Sequence, residues 1–174
     1  MFSSPKRKIE KYFRKNPQVK SIVVAGSYGR KSAIRALSAL LGETYLVTMG
    51  VNKNVQPDVV VLDYGSMSDF PDIQPDLTIV TSCRSDDEAK QFFEVANKSR
   101  KVLVNFSDVP QEYAKYLTNP EIITYGDELP AEPLDINELI KNVFQKGDKE
   151  TPFAPKFLKG DDIANAVNAS LERP

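Results

Sequence analysis

Apolar residues in this chain cluster into five short runs that show no alternation of apolar and polar positions. The runs are rich in valine and isoleucine and occupy residues 21–25, 59–63, 77–81, 101–105 and 121–125. A strand with one solvated face alternates apolar and polar side chains, whereas a strand buried on both faces is apolar throughout. The pattern therefore predicts five strands of a mainly parallel sheet that is covered by helices on both sides.

Stretches with the spacing of amphipathic helices separate most of these runs. Helices are predicted at residues 32–41, 86–99, 110–117 and 135–144. The order of strands and helices is typical of a doubly wound α/β domain with right-handed crossovers, in which ligands bind beyond the carboxyl ends of the strands. We assign this domain to residues 17–146.

Two further helices are predicted outside this domain. A Ser-Pro start and an Asn-Pro stop predict a basic helix within residues 1–16. Residues 147–159 are polar and contain glycine and proline, which indicates a linker. Residues 160–174 have apolar positions at helical spacing, so we expect a C-terminal helix that packs on the same domain.

The N-terminal helix concentrates positive charge, because residues 1–20 hold seven Lys and Arg residues and a single acid, Glu10. Such a helix can border a phosphate site, an anionic membrane surface or an acidic partner. The alternative is a solvated helix that is docked by Ile9 and Phe13. Nucleic acid is the weakest of the candidate ligands, since no aromatic stacking platform accompanies these charges.

The composition excludes several classes of catalytic site. With 174 residues, 41% of them hydrophobic, and 23 Lys+Arg against 24 Asp+Glu, the chain is expected to be one soluble globular domain. It has no histidine, which excludes Ser-His-Asp and Cys-His catalysis and histidine-ligated zinc. Cys83 is the single cysteine, which excludes an internal disulfide and a thiolate zinc site. No apolar run is long enough to span a membrane, so we expect a cytoplasmic protein.

A glycine-containing turn between a predicted strand and a predicted helix is the most informative motif. It reads Gly26-Ser-Tyr-Gly-Arg-Lys-Ser32, and the candidate ligand-binding residues are Gly26, Ser27, Tyr28, Gly29, Arg30, Lys31 and Ser32. Backbone amides and a helix N-terminus can converge there on anionic oxygens, and a basic side chain adds a full charge. The standard Gly-x-x-x-x-Gly-Lys-Ser/Thr loop is not matched. The motif therefore predicts a P-loop-like strand-turn-helix, and the alternative is a tight turn beside an accidental basic pair.

Four stretches occur in the order found in one enzyme family. They are Gly26-Ser-Tyr-Gly-Arg-Lys-Ser32, Leu62-Asp-Tyr-Gly-Ser66, Lys101-Val-Leu-Val-Asn-Phe-Ser-Asp108 and Lys159-Gly-Asp-Asp-Ile-Ala-Asn-Ala-Val-Asn-Ala169. Together they resemble the central ATP-binding domain of the Mur ligases, the peptidoglycan enzymes that join amino acids to a UDP-muramoyl precursor. The resemblance is closest to the branch that adds the final dipeptide. Both flanking substrate domains of the family have no counterpart, so partner chains would have to supply them.

The resemblance implies ATP and Mg²⁺ as cofactors and assigns roles to single residues. Without a gap, Arg30 stands at the family's loop lysine and Ser32 at the second of its two hydroxyl residues. A shift of one residue instead makes Lys31 and Ser32 the usual Lys-Ser pair, and both alignments stay open. Asp63 stands at the magnesium-binding glutamate, so Ser32 and Asp63 are the implied metal ligands. The alternative for Asp63 is a strand-end aspartate that caps the turn before Gly65. Asn165 matches the asparagine that contacts adenine.

The sequence also departs from the family pattern. The metal-site histidine has no counterpart, and Lys90 is the one candidate for the family's carbamylated lysine. Asp161 and Asp162 replace the His-Asn pair that precedes the adenine-contacting asparagine. Asn105 and Asp108 are interpreted as strand-end structure rather than as catalytic groups.

These features lead to a main hypothesis and two alternatives. The main hypothesis is a nucleotide-binding domain with weakened or lost ATP-dependent amino-acid ligase activity, linked by resemblance to peptidoglycan precursor synthesis. One alternative is a non-enzymatic interaction protein on the same scaffold, with the basic helix and the acidic C-terminal half as contact surfaces. The other is one subunit of a split ligase whose partner restores activity.

Overall fold

A computed structural model describes residues 4–65, 69–105, 108–118 and 122–125. The helices are α1 (Pro5–Lys15), α2 (Arg30–Gly42) and α3 (Asp86–Lys98), followed by a short 3₁₀ helix at Gln111–Tyr116. The strands are β1 (Lys20–Ala25), β2 (Val47–Met49), β3 (Val59–Tyr64), β4 (Leu77–Val80), β5 (Lys101–Asn105) and β6 (Ile122–Tyr125). They form one six-stranded sheet in the order β2-β3-β1-β4-β5-β6.

Every pair of neighbouring strands in the sheet is parallel. Strands β2 and β3 lie on one side of β1, and strands β4, β5 and β6 lie on the other. The order in which strands are added to the sheet therefore reverses next to β1. Ala25 lies opposite Tyr64 of β3 and Val80 of β4, so these three strands end at the same level. In open parallel sheets, ligands bind at this kind of switch point beyond the carboxyl ends.

The sheet is buried on both faces, and consecutive residues of β1 serve opposite layers. Ile22 and Val24 pack with Leu37 and Leu41 on the α2 side. Val23 packs on the other side with the layer that contains α3, where Phe92 and Phe93 are fully buried. Because both neighbours of each core residue are also buried, the strands show no alternation in sequence.

The predicted α/β class and its parallel sheet are confirmed. The five predicted strands and the helices at residues 32–41 and 86–99 agree with the structure to within two residues at either end. The predicted turn between strand and helix is present between β1 and α2. The prediction of an α-helix at residues 110–117 is wrong, because a 3₁₀ helix occupies this segment.

The sequence analysis missed β2. This strand has three residues, forms an edge of the sheet, and is at most half-buried. Leu46, which precedes it, and Met49, its last residue, are exposed, so no continuous buried run marks it. The predicted helix at 135–144, the linker at 147–159 and the helix at 160–174 lie outside the described residues.

Helix α1 docks on the sheet through its apolar side. Ser4 caps the helix by accepting a hydrogen bond from the amide of Arg7, and proline follows the cap. Ile9, Tyr12 and Phe13 pack against the same core layer as α3. Among the residues that the structure describes, no helix has the length and apolar character of a membrane span.

Cys83 provides a direct test of this packing. Burial, with a smaller effect of the Glu88 charge, raises the pKa of its thiol from 9.0 to about 12. We expect the native thiol to be unreactive towards a disulfide reagent at pH 8 and to react at once in denaturing urea, since the thiolate is the nucleophile.

The same pKa shift predicts a dependence of stability on pH. Because the folded thiol keeps its proton more strongly than the unfolded one, its contribution to stability is complete below pH 9 and is lost as the pH rises towards 12. Absorbance measures the labelling reaction, and urea titrations measure the stability. Rapid labelling of the folded protein would contradict the packing described above.

Candidate phosphate-binding site

The turn after β1 is held against β4 by a close approach at Gly26. Gly26 has φ +153°, and a Cβ atom built there would lie 2.1 Å from Thr81 Oγ1. The Thr81 hydroxyl donates to the carbonyl oxygen of Tyr28 at 2.6 Å. Only glycine leaves room for this contact, so the turn conformation depends on residue 26.

The first backbone amides of the turn donate to protein acceptors. Gly26 N donates to the carbonyl of Tyr64 at 3.4 Å, and Ser27 N donates to the carbonyl of Ser82 at 3.2 Å. Tyr28 N donates to the hydroxyl of Ser82 at 2.8 Å. The ends of β3 and β4 therefore occupy these donors, and the turn does not offer them to a ligand.

The next amides along the chain are free. Gly29, with φ +80°, is the N-cap of α2 and makes no side-chain capping bond, and its carbonyl accepts the first helical bond from Ala33 N at 3.1 Å. Within the described residues, the amides of Arg30, Lys31 and Ser32 have no acceptor, as is usual in the first turn of a helix. The positive end of the helix dipole lies at the same place, so the arrangement attracts an anion.

An open cleft of about 220 Å³ lies over this helix terminus. It is lined by Ser27, Tyr28, Gly29, Arg30, Lys31 and Ser32. Pockets for whole drug-sized ligands measure about 300 to 1,000 Å³. The cleft therefore has room for phosphate groups, and a nucleoside would extend beyond it.

Arg30 does not point into solvent at the cleft. Its Nε donates to Asp63 Oδ1 at 2.6 Å, and its Nη1 donates to the carbonyl of Gly26 at 2.5 Å. A second, longer bond of 3.3 Å joins Nη1 to the carbonyl of Ser27. Nη2 lies against Gly65, where a Cβ would stand 3.0 Å away. The guanidinium thus joins the turn after β1 to the end of β3.

Lys31 is the basic side chain that remains available to a ligand. It is exposed and forms no ion pair with any of the described residues. The Arg30 side chain, by contrast, is only 24% exposed and is ion-paired with Asp63. The geometry favours Lys31, rather than Arg30, as the cation that faces a phosphate.

The residues implied as magnesium ligands do not fit a magnesium site in this arrangement. Asp63 is at the end of β3, as predicted, but its Oδ1 is bound to the Arg30 guanidinium. No hydrogen bond joins Ser32 to Asp63. The described part of the chain contains no group of three or more Asp, Glu, Cys or His side chains that could hold a metal ion. A divalent cation at Asp63 would adjoin a fixed positive charge, which is unfavourable.

Tyr28 and the end of β5 form the far side of the turn. The Tyr28 hydroxyl donates to Asp108 Oδ1 at 3.1 Å, and the Arg84 guanidinium lies 5.2 Å from the ring centroid. Desolvation, and then the hydrogen bond to Asp108, raise the pKa of Tyr28. Asn105 Nδ2 donates to Asp108 Oδ2 at 3.0 Å and to the Thr81 carbonyl at 3.1 Å. Asn105 and Asp108 therefore have the structural role that the sequence suggested.

Three residues that shape the turn were missed by the sequence analysis. Thr81 and Ser82 bind the backbone of the turn, and Glu88 accepts hydrogen bonds from the Ser27 hydroxyl and from Arg84 N. A signal was available for the first two, because they directly follow a buried strand at the carboxyl edge of the sheet. Glu88 carries no comparable signal, since it resembles any acidic residue in the first turn of a helix.

Two other candidate residues are not part of this site as described. Lys90 is exposed on α3, where it forms an ion pair with Asp86 at 2.6 Å. The hydrogen bond within this pair lowers the pKa of Asp86 and raises the pKa of Lys90. Asn165, the implied adenine contact, lies outside the described residues.

Comparison of this architecture with known proteins identifies its fold. No family model and no curated protein matches the chain. MurF from Acinetobacter baumannii matches 71% of this chain and 34% of its own length, with a TM-score of 0.58 at 14% identity. MurF ligase from Thermotoga maritima in complex with ADP matches 74% and 38%, with a TM-score of 0.57 at 16% identity. The chain has a Mur-ligase-like fold.

Folylpolyglutamate synthetase from Lactobacillus casei has a similar structure. Its match covers 98% of this chain and 68% of the synthetase, with a TM-score of 0.59 at 13% identity. The chain therefore spans a little over one third of the MurF structures and about two thirds of the synthetase. At these identities the Mur-ligase-like fold is shared, and the roles of individual residues are not transferred.

The close approach at Gly26 predicts a large effect of adding one methyl group. Gly26→Ala places a Cβ against Thr81 in a backbone conformation that alanine rarely adopts. We expect the free energy of unfolding to fall by about 2 kcal/mol or more. Gly42→Ala is the matched control, because a Cβ there meets nothing within 4 Å at the end of α2.

The control variant should be neutral or stabilised by up to about 1 kcal/mol. Urea unfolding followed by circular dichroism measures both changes. Equal stability of the two variants would show that the turn does not need glycine at position 26.

Proposed function

We propose that this chain binds a nucleotide through its phosphates at the N-terminus of α2, with ligase turnover weakened or lost. The observation that carries the proposal is the cleft lined by residues 27–32, where the exposed Lys31 side chain meets three helix amides that have no acceptor among the described residues. These groups are donors only, so their natural ligand is an anion. The cleft lies next to the switch point of a parallel sheet, where such ligands are commonly bound.

The rest of a nucleotide would extend past the cleft. The exposed ring of Tyr28 lies beside it and offers an apolar surface for a base or a sugar. ATP and ADP are the nucleotides that the resemblance to the Mur ligases suggests. The solved structure of MurF from Thermotoga maritima is itself a complex with ADP, which is consistent with this choice.

Weakened or lost turnover follows from the chemistry that phosphoryl transfer requires. That reaction depends on cationic groups that are positioned around the transferred phosphoryl group. In this chain Arg30 is turned towards Asp63, and the amides of residues 26–28 bind protein acceptors. A role in peptidoglycan precursor synthesis, alone or as one subunit of a split ligase, would require substrate-binding parts in addition to this domain.

Calorimetric titration with ADP tests the proposal. We expect a dissociation constant in the micromolar range and a loss of about tenfold or more in Lys31→Ala, since charged hydrogen bonds contribute about 1.5 to 3 kcal/mol. Arg35→Ala is the matched control, because it removes one positive charge from an exposed position of the same helix.

Each outcome of this titration has a clear meaning. Loss of affinity in Lys31→Ala alone would support a site at the helix terminus. Equal weakening in Arg35→Ala would indicate a general effect of charge and contradict the site. Absence of binding at millimolar ADP would mean that the turn is not a nucleotide site.

A second observation favours the alternative of an interaction protein. A groove of about 730 Å³ separates α1 from the segment at residues 51–56. Its positively charged lining consists of Arg7, Lys8, Lys11, Arg14, Lys15 and Lys53. None of these six side chains forms an ion pair with another described residue. Since the apolar side of α1 is docked on the core, these charges are presented to an acidic partner.

A poly-glutamate peptide serves as a probe for this groove. We expect salt-sensitive binding that the double variant Lys11→Glu/Lys15→Glu reduces by about tenfold or more. The control is Arg35→Glu/Lys98→Glu, which changes the net charge equally at exposed positions away from the groove. Fluorescence anisotropy measures both affinities, and equal loss in the two double variants would argue against a localised surface.

A further inference from the structure

The side chain of Arg30 is bound to a residue that the sequence resemblance implies as a magnesium ligand. Its Nε is 2.6 Å from Asp63 Oδ1, the carboxylate implied as the magnesium ligand. The same guanidinium donates to the carbonyls of Gly26 and Ser27. Asp63 therefore already has a cation bound to it, and the cation is part of the chain.

This internal cation is fixed in position. A guanidinium presents its donors in a rigid planar fork, and three oxygen acceptors on two neighbouring elements hold that fork in place. Gly65 closes one side of it, because even a Cβ at that position would lie 3.0 Å from Nη2. An arginine also keeps its charge over the whole pH range in which proteins are usually folded.

A divalent cation has to overcome these contacts in order to bind Asp63. Mg²⁺ takes oxygen ligands in a nearly ideal octahedron and gives up its water reluctantly. At Asp63 it would compete with a charge-assisted hydrogen bond and adjoin the displaced guanidinium charge. The described residues contain no group of three or more acidic, cysteine or histidine side chains that could compensate for this cost.

We propose that Arg30 replaces the divalent cation in this cleft, so that the site binds a phosphate-bearing anion without a metal. The inference rests on the proposed function and narrows its ligand to metal-free phosphate compounds, such as inorganic phosphate or a nucleoside diphosphate. Arg30 neutralises Asp63 behind the cleft, and Lys31 with the free helix amides binds the anion in front. The carboxylate is thereby prevented from repelling the ligand.

Manganese binding tests the replacement without relying on activity. Mn²⁺ is titrated into the protein alone and in the presence of ADP, and its electron paramagnetic resonance signal reports the bound fraction. We expect no binding by the wild-type protein beyond that of free ADP. We expect Arg30→Gln to gain Mn²⁺ affinity by about tenfold or more, because the Asp63 carboxylate is then open to the ion. The double variant Arg30→Gln/Asp63→Asn should lose this gain.

Arg100→Gln is the matched control variant. It removes an arginine from another arginine–aspartate pair, whose acid Asp76 still accepts a hydrogen bond from Ser21 N at 2.9 Å. Its Mn²⁺ affinity should equal that of the wild-type protein. Asp76 also keeps its ion pair with Lys20 at 3.6 Å. A similar gain in this control would overturn the inference, since the gain would then not depend on the Asp63 carboxylate.

A second test does not depend on whether the Arg30 variant folds, because it compares the wild-type protein with Asp63→Asn. Mn²⁺ binding that the single change Asp63→Asn removes would overturn it. A titration with inorganic phosphate, with and without Mg²⁺, distinguishes failure of the metal-free inference from failure of the proposed function. Phosphate binding that requires Mg²⁺ would overturn the replacement, whereas failure of phosphate and ADP to bind at all would overturn the proposed function.

Discussion

One ion pair, between Arg30 and Asp63, decides what the turn after β1 can offer to a ligand. The guanidinium ties the carbonyls of the turn to the end of β3, while Thr81 and Ser82 tie it to the end of β4. With both neighbouring strands holding the turn, its first amides are satisfied internally. The amides of the first helical turn, together with Lys31, are what remain for binding.

The parallel sheet explains why these contacts meet at one place. Parallel strands have their carboxyl ends on one edge, and β1 lies between β3 and β4. Residues that are far apart in the chain, such as 30 and 63 or 28 and 82, thereby become neighbours. The Mur-ligase-like fold supplies this convergence, and the identities of the side chains determine which chemistry it supports. A shared fold therefore does not by itself imply a shared chemistry at the site.

Much of the fold could be predicted because double-sided burial leaves a clear mark in the sequence. Strands such as β1 and β5 are apolar runs, and the structure confirms them almost residue for residue. Strand β2 is short, lies at an edge and is partly exposed, so burial left no such mark. At the site, the turn predicted to bind phosphate does line one cleft. The partner of Arg30 was beyond prediction, since no local pattern states which acid lies across the sheet.

The Arg30–Asp63 pair also constrains how this sequence can change over generations. Replacing either residue alone leaves a charge without its partner, and it also releases the contact between the turn after β1 and the end of β3. A change at one of the two positions is therefore expected to favour a compensating change at the other. Gly65 belongs to the same unit, because any larger residue there meets the guanidinium. The three positions are therefore coupled through one set of contacts.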